Sequence, residues 1–400
     1  MNILFLSIGR MNSIEDKGIY TDLLRTFRNE GHKVYIVTPR EKRLNKPTEY
    51  LKEDGVEFLK VRIGNITKVK NLEKGISTLR IEKLFLNAIK EHLNDVKFDL
   101  VIYSTPPITF EKVIKYIKKR DRAKSYLLLK DIFPQNAVDL NMFSKKSPVY
   151  KFFRYKEKKL YSQSDYIGCM SPANKTFLLS HNIGIPNKKV DICPNSIEPT
   201  EVKFSKDQLE KIRVKYKVPV DKVVFIYGGN LGKPQGIDYL INCLEVNKEN
   251  QKIHFIIAGS GTEYTKIQSY FRINKPKNAQ LFKQLPKDDY EKLATSCDVG
   301  LIFLDNRFTI PNFPSRLLSY MQASMPILAA TDSNTDIGKI IEQGNFGHWC
   351  KSDDVQGFRN KIDEFLNENQ RKVMGENSRE YLENHYTVKH SYEIIMSHFN

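Results

Sequence analysis

Val223-Val224-Phe225-Ile226-Tyr227 runs directly into Gly228-Gly229-Asn230-Leu231-Gly232-Lys233-Pro234-Gln235-Gly236. Five consecutive apolar residues read as a strand buried on both faces, the kind found inside a parallel sheet. The glycines that follow let backbone approach a ligand closely. The helix predicted from about Ile237 offers free N–H groups and a partial positive charge, which suit a phosphate. The spacing is not Gly-x-x-x-x-Gly-Lys-Ser/Thr, so a P-loop ATPase is disfavoured. Nor is it Gly-x-Gly-x-x-Gly with an acidic residue ending the next strand, so NAD binding has weak support. An ordinary βα turn is the other reading.

The same rhythm extends in both directions. Downstream, Ile253 to Ala258 is a strand ending in Gly259-Ser260-Gly261, and Ala279–Phe282, Val299–Leu304 and Ile327–Ala330 are shorter strands. Upstream, residues 2–8, Val34–Val37, Phe98–Tyr103, Ser125–Leu129 and Tyr166–Met170 are strands separated by helical stretches. Tyr20, Leu23, Leu24 and Phe27 mark the first helix, which Gly31 ends. Alternating strand and helix predicts parallel, doubly wound sheets. Residues 186–222, richer in Pro, Asn and charge, separate two such runs. The chain therefore reads as two Rossmann-like domains joined near residue 200, with ligands expected where the carboxyl ends of the two sheets face a central cleft.

The chain has 400 residues, which suits two domains, and 40% apolar composition, which excludes disorder. Five separated cysteines with no Cys-x-x-Cys pair argue against a disulfide framework or thiolate zinc site. Met1 to Ser7 is too short for a signal-peptide core, and no run of about 18 apolar residues predicts a membrane span. A cytosolic protein is expected. Of the +17 formal charge, residues 1–200 hold 37 basic against 22 acidic residues, and residues 201–400 hold 27 against 25. A basic first half points to an anionic partner: nucleic acid, anionic lipid or a phosphorylated substrate. It is also what a lysine-rich soluble protein shows.

Three further segments carry chemistry. Phe313-Pro314-Ser315-Arg316-Leu317-Leu318-Ser319-Tyr320-Met321 opens a helix with Pro314 suited to the first turn, and Ser315 and Arg316 beside the free N–H groups. That is an anion site with a guanidinium, or a capped surface helix. Lys130-Asp131-Ile132-Phe133-Pro134-Gln135 follows a strand and sets a cation and a carboxylate at the cleft mouth, for substrate or as a structural salt bridge. Lys118-Lys119-Arg120, Lys145-Lys146 and the helix from Lys151 to Lys159, interleaved with aromatics, suit an anionic membrane or a plain core. Eight scattered histidines lack metal-ligand spacing, and no Ser-His-Asp or Gly-x-Ser-x-Gly signature occurs.

These residues resemble a known family. The N-terminal strand, Gly18 loop and helix to Gly31-His32, Lys-Asp-Ile-Phe-Pro-Gln at 130–135, Pro194-Asn195, Gly-Asn-Leu-Gly-Lys-x-Gln-Gly at 229–236 and Pro-Ser-Arg-Leu-Leu-Ser-Tyr-Met at 314–321 are similar to a family 4 glycosyltransferase of the GT-B fold. Among these, the capsule and O-antigen transferases of the N-acetyl-L-fucosaminyl group look most alike. The resemblance implies an acceptor domain over 1–199, completed by a helix within 386–400, and a nucleotide-sugar domain over 200–385. It implies transfer with retention, without a metal, from a UDP-sugar to a polyprenyl-diphosphate-linked saccharide at the inner membrane face, and no nucleic acid. The donor diphosphate would meet Gly229, Asn230, Gly232, Lys233, Ser315 and Arg316, with Ser319 one turn on. The base would lie against Gly261, Phe282, Leu285 and Pro286, and the sugar near Lys130 and Asp131. Gly9 and Gly18 would serve the acceptor side. The sequence departs from the family where a Glu-x7-Glu pair is replaced by Pro311 and Ser319, where an Arg and a Lys are replaced by Asn230 and Gln235, and where a Glu is replaced by Gln135. Without those carboxylates, a 2-acetamido deoxy sugar, with fewer hydroxyls to grip, is the expected cargo. Two other readings are a UDP-sugar 2-epimerase of the same fold and a non-enzymatic nucleic-acid-binding protein. The first has few acid/base candidates beyond Asp131, and the second has no recognised motif.

Overall fold

A computed structural model of the chain describes residues 1–67, 69, 71–201 and 204–399. Val202 and Lys203, inside the predicted junction, and Asn400, at the end of the predicted last helix, lie outside them. The chain forms two compact units, Met1–Glu198 with Thr387–Asn400, and Pro199–Tyr386.

The first unit is built on β1 (Asn2–Leu6), β2 (Lys33–Glu41), β3 (Glu49–Glu53), β4 (Val56–Ile63), β5 (Leu100–Ser104), β6 (Lys124–Leu129), β7 (Tyr166–Cys169) and β8 (Val190–Ile192), in the order β3-β4-β2-β1-β5-β6-β7-β8. The alternation of strand side chains divides its core. Leu4 and Leu6 point into one cluster, covered by helices Asn71–His92, Glu111–Asp121 and Pro148–Gln163. Ile3 and Phe5 point into the other, covered by helices Ile19–Asn29 and Val388–Met396. The predicted all-parallel sheet needs one correction: β3 runs antiparallel to β4. Asp54 and Gly55 join them with φ of 49° and 78°. This left-handed pair is the two-residue turn that an Asp-Gly step favours.

The last helix starts at Val388, two residues after the predicted Tyr386, where the Thr387 hydroxyl accepts a hydrogen bond from the His390 N–H. Tyr386 remains in the second unit. The Val388 N–H donates to the Ile197 carbonyl (3.1 Å), and the Tyr392 hydroxyl meets His32 Nε2 (3.0 Å).

The second unit is a parallel sheet of β9 (Val223–Asn230), β10 (Ile253–Ser260), β11 (Ala279–Phe282), β12 (Val299–Phe303), β13 (Ile327–Thr331) and β14 (Gly347–Lys351), in the order β11-β10-β9-β12-β13-β14. β9 continues through Gly228, Gly229 and Asn230, which were expected to form the turn, and pairs there with Ala258, Gly259 and Ser260 of β10. A Cβ on Gly259 would stand 1.9 Å from the Gly229 carbonyl oxygen, so the pairing survives only because glycine faces glycine. The helix expected to open at Pro314 is Arg316–Gln322. Ser315 is its N-cap with no side-chain cap bond, and Pro314 precedes the helix and is not part of its first turn. Among the described residues no helix is long and apolar enough to cross a membrane.

Candidate functional site

In the second unit, β9 delivers Gly229 and Asn230 to its carboxyl end, and Gly232 and Lys233 follow at once. The Asn230 side-chain amide donates to Gln235 Oε1 (2.9 Å), which also accepts from the Gly232 N–H (3.1 Å). This neutral tie closes the turn. Lys233 is exposed on the short 3-10 turn Lys233–Gln235. Gly261 lies against the turn, since a Cβ there would come within 2.3 Å of the Leu231 carbonyl oxygen. Phe282 closes β11 beside Ala258 of β10, half-buried against Tyr216. Leu285 is half-buried, and Pro286 is exposed just before helix Lys287–Thr295.

Arg316 is the centre of this arrangement. Its guanidinium carbon lies 4.0 Å over the centre of the Tyr227 ring, a cation–π distance. A Cβ on Gly229, whose φ is +131°, would stand 2.5 Å from Arg316 Nη2. A Cβ on Gly228 would collide with the Tyr290 hydroxyl. The glycine pair read in the sequence as room for a ligand therefore admits two of the chain's own side chains, with Arg316 directly beneath the turn. Arg316 Nε is buried without a hydrogen-bond partner, an expensive state for a charged donor. The Tyr227 hydroxyl donates to the Asn230 carbonyl (2.6 Å), so one ring supports both the arginine and the turn. Ser315 and Ser319 are exposed on either side of Arg316 in sequence. Tyr227 was read only as the last residue of the strand before the glycines, and Tyr290 was missed because nothing in the sequence links it to the turn; helix Lys287–Thr295 brings it there.

In the first unit, β6 ends at Leu129 and hands over to Lys130 and Asp131. The Thr105 hydroxyl accepts from both of their backbone N–H groups (3.1 Å each) and donates to the Asp131 carbonyl (3.0 Å). No ion pair joins the two side chains among the described residues, so the structural salt bridge weighed above does not form. Instead the Lys130 ammonium reaches the Cys193 carbonyl (3.4 Å), and Asp131 Oδ1 accepts from the Asn136 amide (2.7 Å). Burial pushes the Lys130 ammonium down to about 8. Burial pushes the Asp131 carboxyl up to about 6, against the opposing hydrogen bond from Asn136. A small pocket is lined by Tyr20, Leu23, Lys130, Asn195, Ser196 and Ser391. Asn195 Oδ1 is buried without a partner. Gly18 caps the helix carrying Tyr20 and gives its N–H to Asp22 (3.1 Å). The Gly9 carbonyl accepts from Thr38 (2.9 Å).

Two family models match the chain: "Glycosyltransferase Family 4" over residues 20–201 and "Glycosyl transferases group 1" over residues 208–381. The chain is 24% identical over 323 residues to "Probable glycosyltransferase WbjE" of Pseudomonas aeruginosa, covering 79% of each protein. Among solved structures it is similar to Anabaena HepE in complex with UDP and glucose, at 15% identity and TM-score 0.71, over 100% of this chain and 99% of that one. It is also similar to WaaG, a glycosyltransferase involved in lipopolysaccharide biosynthesis, at 14% identity and TM-score 0.67, over 98% and 99%.

Proposed function

We propose, for a chain that belongs to the GT-B glycosyltransferases of family 4, that the second unit holds a UDP-sugar and the first unit holds the saccharide that receives the sugar. The observation that carries this reading is Arg316: a half-buried arginine whose Nε is buried and unpartnered, with its guanidinium stacked on Tyr227 beside Gly229 of the glycine turn. A diphosphate supplies the acceptor oxygens such a cation lacks, and a guanidinium binds them in bidentate fashion. Lys233, the Gly229–Gly232 backbone and Ser315 would complete the diphosphate's surroundings. Gly261 and Phe282–Pro286 would hold the base.

The transferred group is an N-acetylated deoxyhexosamine such as N-acetyl-L-fucosamine. The acceptor is a polyprenyl-diphosphate-linked saccharide of capsule or O-antigen assembly, met at the inner face of the cell membrane. The bond from the anomeric carbon to the donor phosphate oxygen breaks, and the acceptor hydroxyl oxygen bonds to that carbon on the same face. The hydroxyl proton passes to the departing phosphate. Arg316 and Lys233 stabilise the charge that gathers on the diphosphate, where preorganised donors count most. Lys130 and Asp131 position the sugar or acceptor.

The test is thermal unfolding with UDP, GDP, ADP or NAD, each with and without EDTA. A ligand at about 100 times its Kd adds about 2.7 kcal/mol, which is several degrees for a unit of this size. Stabilisation by UDP that survives EDTA supports the reading and opens a donor-sugar screen. Stabilisation by NAD, or by none of the four, overturns it.

A further inference from the structure

In the second unit β12 ends at Phe303, and residues 304–315 lead from it to helix Arg316–Gln322. Both ends of this loop lie at the glycine turn. At its start the Asp305 N–H donates to the Pro234 carbonyl (2.9 Å), and Asp305 Cα would stand 3.3 Å from a Cβ on Gly236. At its end comes Arg316, beside Gly229. A sugar attached to a diphosphate at the turn is therefore within reach of this loop.

The loop is fixed by the chain's own groups. Asp305 is turned onto Arg307: Oδ1 accepts from the Arg307 N–H (3.0 Å) and Nε (2.7 Å), and Oδ2 accepts from Nη2 (2.7 Å). The segment after β13 holds the rest. Asp332 Oδ1 accepts from the N–H groups of Asn334 (2.8 Å) and Thr335 (3.1 Å). The Asn334 amide in turn donates to the Phe308 carbonyl (2.6 Å), and the Thr335 hydroxyl donates to the Asn312 carbonyl. The Asn312 side chain stands outside this network. Its Nδ2 is buried without a hydrogen-bond partner, while the residue as a whole is half-buried and Ser315 beyond it is exposed. A buried donor left unmade is costly, and one on an anchored backbone is explained by a partner that arrives from outside.

We propose that Asn312 reads the acetamido carbonyl of the donor sugar. This rests on the donor site proposed above and adds the residue that selects the sugar. An amide N–H requires an acceptor oxygen. A hydroxyl oxygen sits directly on the sugar ring, too short to meet a donor recessed below the surface. An acetamido carbonyl oxygen stands two bonds further out and can enter the recess. The oxygens of a uronate also project from the ring, but they carry charge. Asp332 holds Thr335, and Thr335 holds Asn312, so a second carboxylate here would meet a like charge close by. The neutral carbonyl is the group that fits.

The test is titration calorimetry on the full chain with UDP, UDP-N-acetylglucosamine, UDP-glucose, UDP-N-acetylgalactosamine, UDP-galactose and UDP-glucuronic acid. Within each hexosamine and hexose pair the two ligands differ only at C2. The acetamido member should bind about tenfold tighter than its hydroxyl partner, as expected for one buried hydrogen bond. The ratio within a pair cancels whatever the UDP portion contributes, so it can be compared across variants. N312L should bring the ratio to about one. N312D, of the same shape but with no N–H, should bring it to one or below. N360L, at an exposed position on helix Val355–Glu364, should keep the parent ratio. Equal binding of the two members by the parent overturns the proposal, as does a parent ratio that survives in N312L and N312D, or UDP-glucuronic acid as the tightest ligand. A parent that binds UDP yet treats both pairs alike overturns this inference alone. One that binds none of the six overturns the donor-site reading, and this inference with it.

Discussion

Gly229→Ala tests the proposed donor site through its tightest contact. The substitution adds one methyl group at φ +131°, with its carbon 2.5 Å from Arg316 Nη2 and 3.3 Å from Cζ. The backbone cost of a positive φ is about 1–2 kcal/mol, which lowers the melting temperature of a domain of this size by a few degrees. The side-chain consequence is separate: the guanidinium must leave its seat over Tyr227. A charge-assisted hydrogen bond is worth about 1.5–3 kcal/mol, so the loss of one to the diphosphate raises the Kd for UDP roughly ten- to a hundredfold. Titration calorimetry with UDP on the parent, Gly229→Ala, Arg316→Ala and the double variant separates the two effects. If the methyl group acts by displacing Arg316, the double variant binds UDP about as weakly as Arg316→Ala alone, within about 0.5 kcal/mol. Losses that simply add, or a Gly229→Ala protein that melts lower yet binds UDP like the parent, would refute the reasoning.

Three further outcomes are expected. Gln235→Ala removes the acceptor shared by Asn230 and the Gly232 N–H, and should weaken UDP binding several-fold in calorimetry without lowering the melting temperature by more than a few degrees. Asp131→Asn should raise the melting temperature at pH 7.5 and lose that gain by pH 4: the folded carboxyl, raised to about 6, is costly when ionised, and the cost fades as pH falls from about 6 towards the unfolded value near 4. A gain that is equal at both pH values would sink this account. Ile395→Asp places a carboxylate in the core shared by helices Ile19–Asn29 and Val388–Met396, and should destabilise the first unit by about 3 kcal/mol or more, read as a lower urea midpoint.

Much of the architecture could be read because parallel strands buried on both faces are continuous apolar runs. Val223–Tyr227, Ile253–Ala258 and Ser125–Leu129 were placed within a few residues for that reason. What escaped was structure whose signal is weak or lies elsewhere. β14, Gly-His-Trp-Cys-Lys, is an edge strand with neither a continuous nor an alternating apolar pattern. β8 has three residues. The hairpin of β3 and β4 did carry a signal, Asp54-Gly55, but β3 is exposed enough to look like a loop. β9 outran its prediction because glycine is a strand breaker on local grounds. Only the pairing with Gly259, thirty residues on, makes Gly228 and Gly229 good strand residues. The site divided in the same way. The glycines announced a close approach, and the sequence could not say that Tyr290 and Arg316 are what approaches.

That distinction bears on where the charge for a diphosphate comes from. At the two positions where the resembling family carries Arg and Lys, this chain has Asn230 and Gln235, and they are hydrogen-bonded to one another at 2.9 Å. The turn is thus held shut by a neutral pair, and those two positions contribute no charge. Two cations remain close by, and they are not equivalent. Lys233 is exposed, where water and salt reduce its attraction for a phosphate to about 1 kcal/mol. The half-buried Arg316 guanidinium sits over Tyr227 with Nε shielded from water, so its field acts through a lower dielectric than that of Lys233, and part of its desolvation has already been met in folding. On the proposed reading, replacing Arg316 should therefore cost far more than replacing Lys233, and the cost should change little with salt. If Arg316 meets a donor diphosphate as proposed, the main charge would come from the helix behind the turn, from a cation stacked on Tyr227 beside Gly229, and the exposed Lys233 would add a flexible, solvent-facing contact.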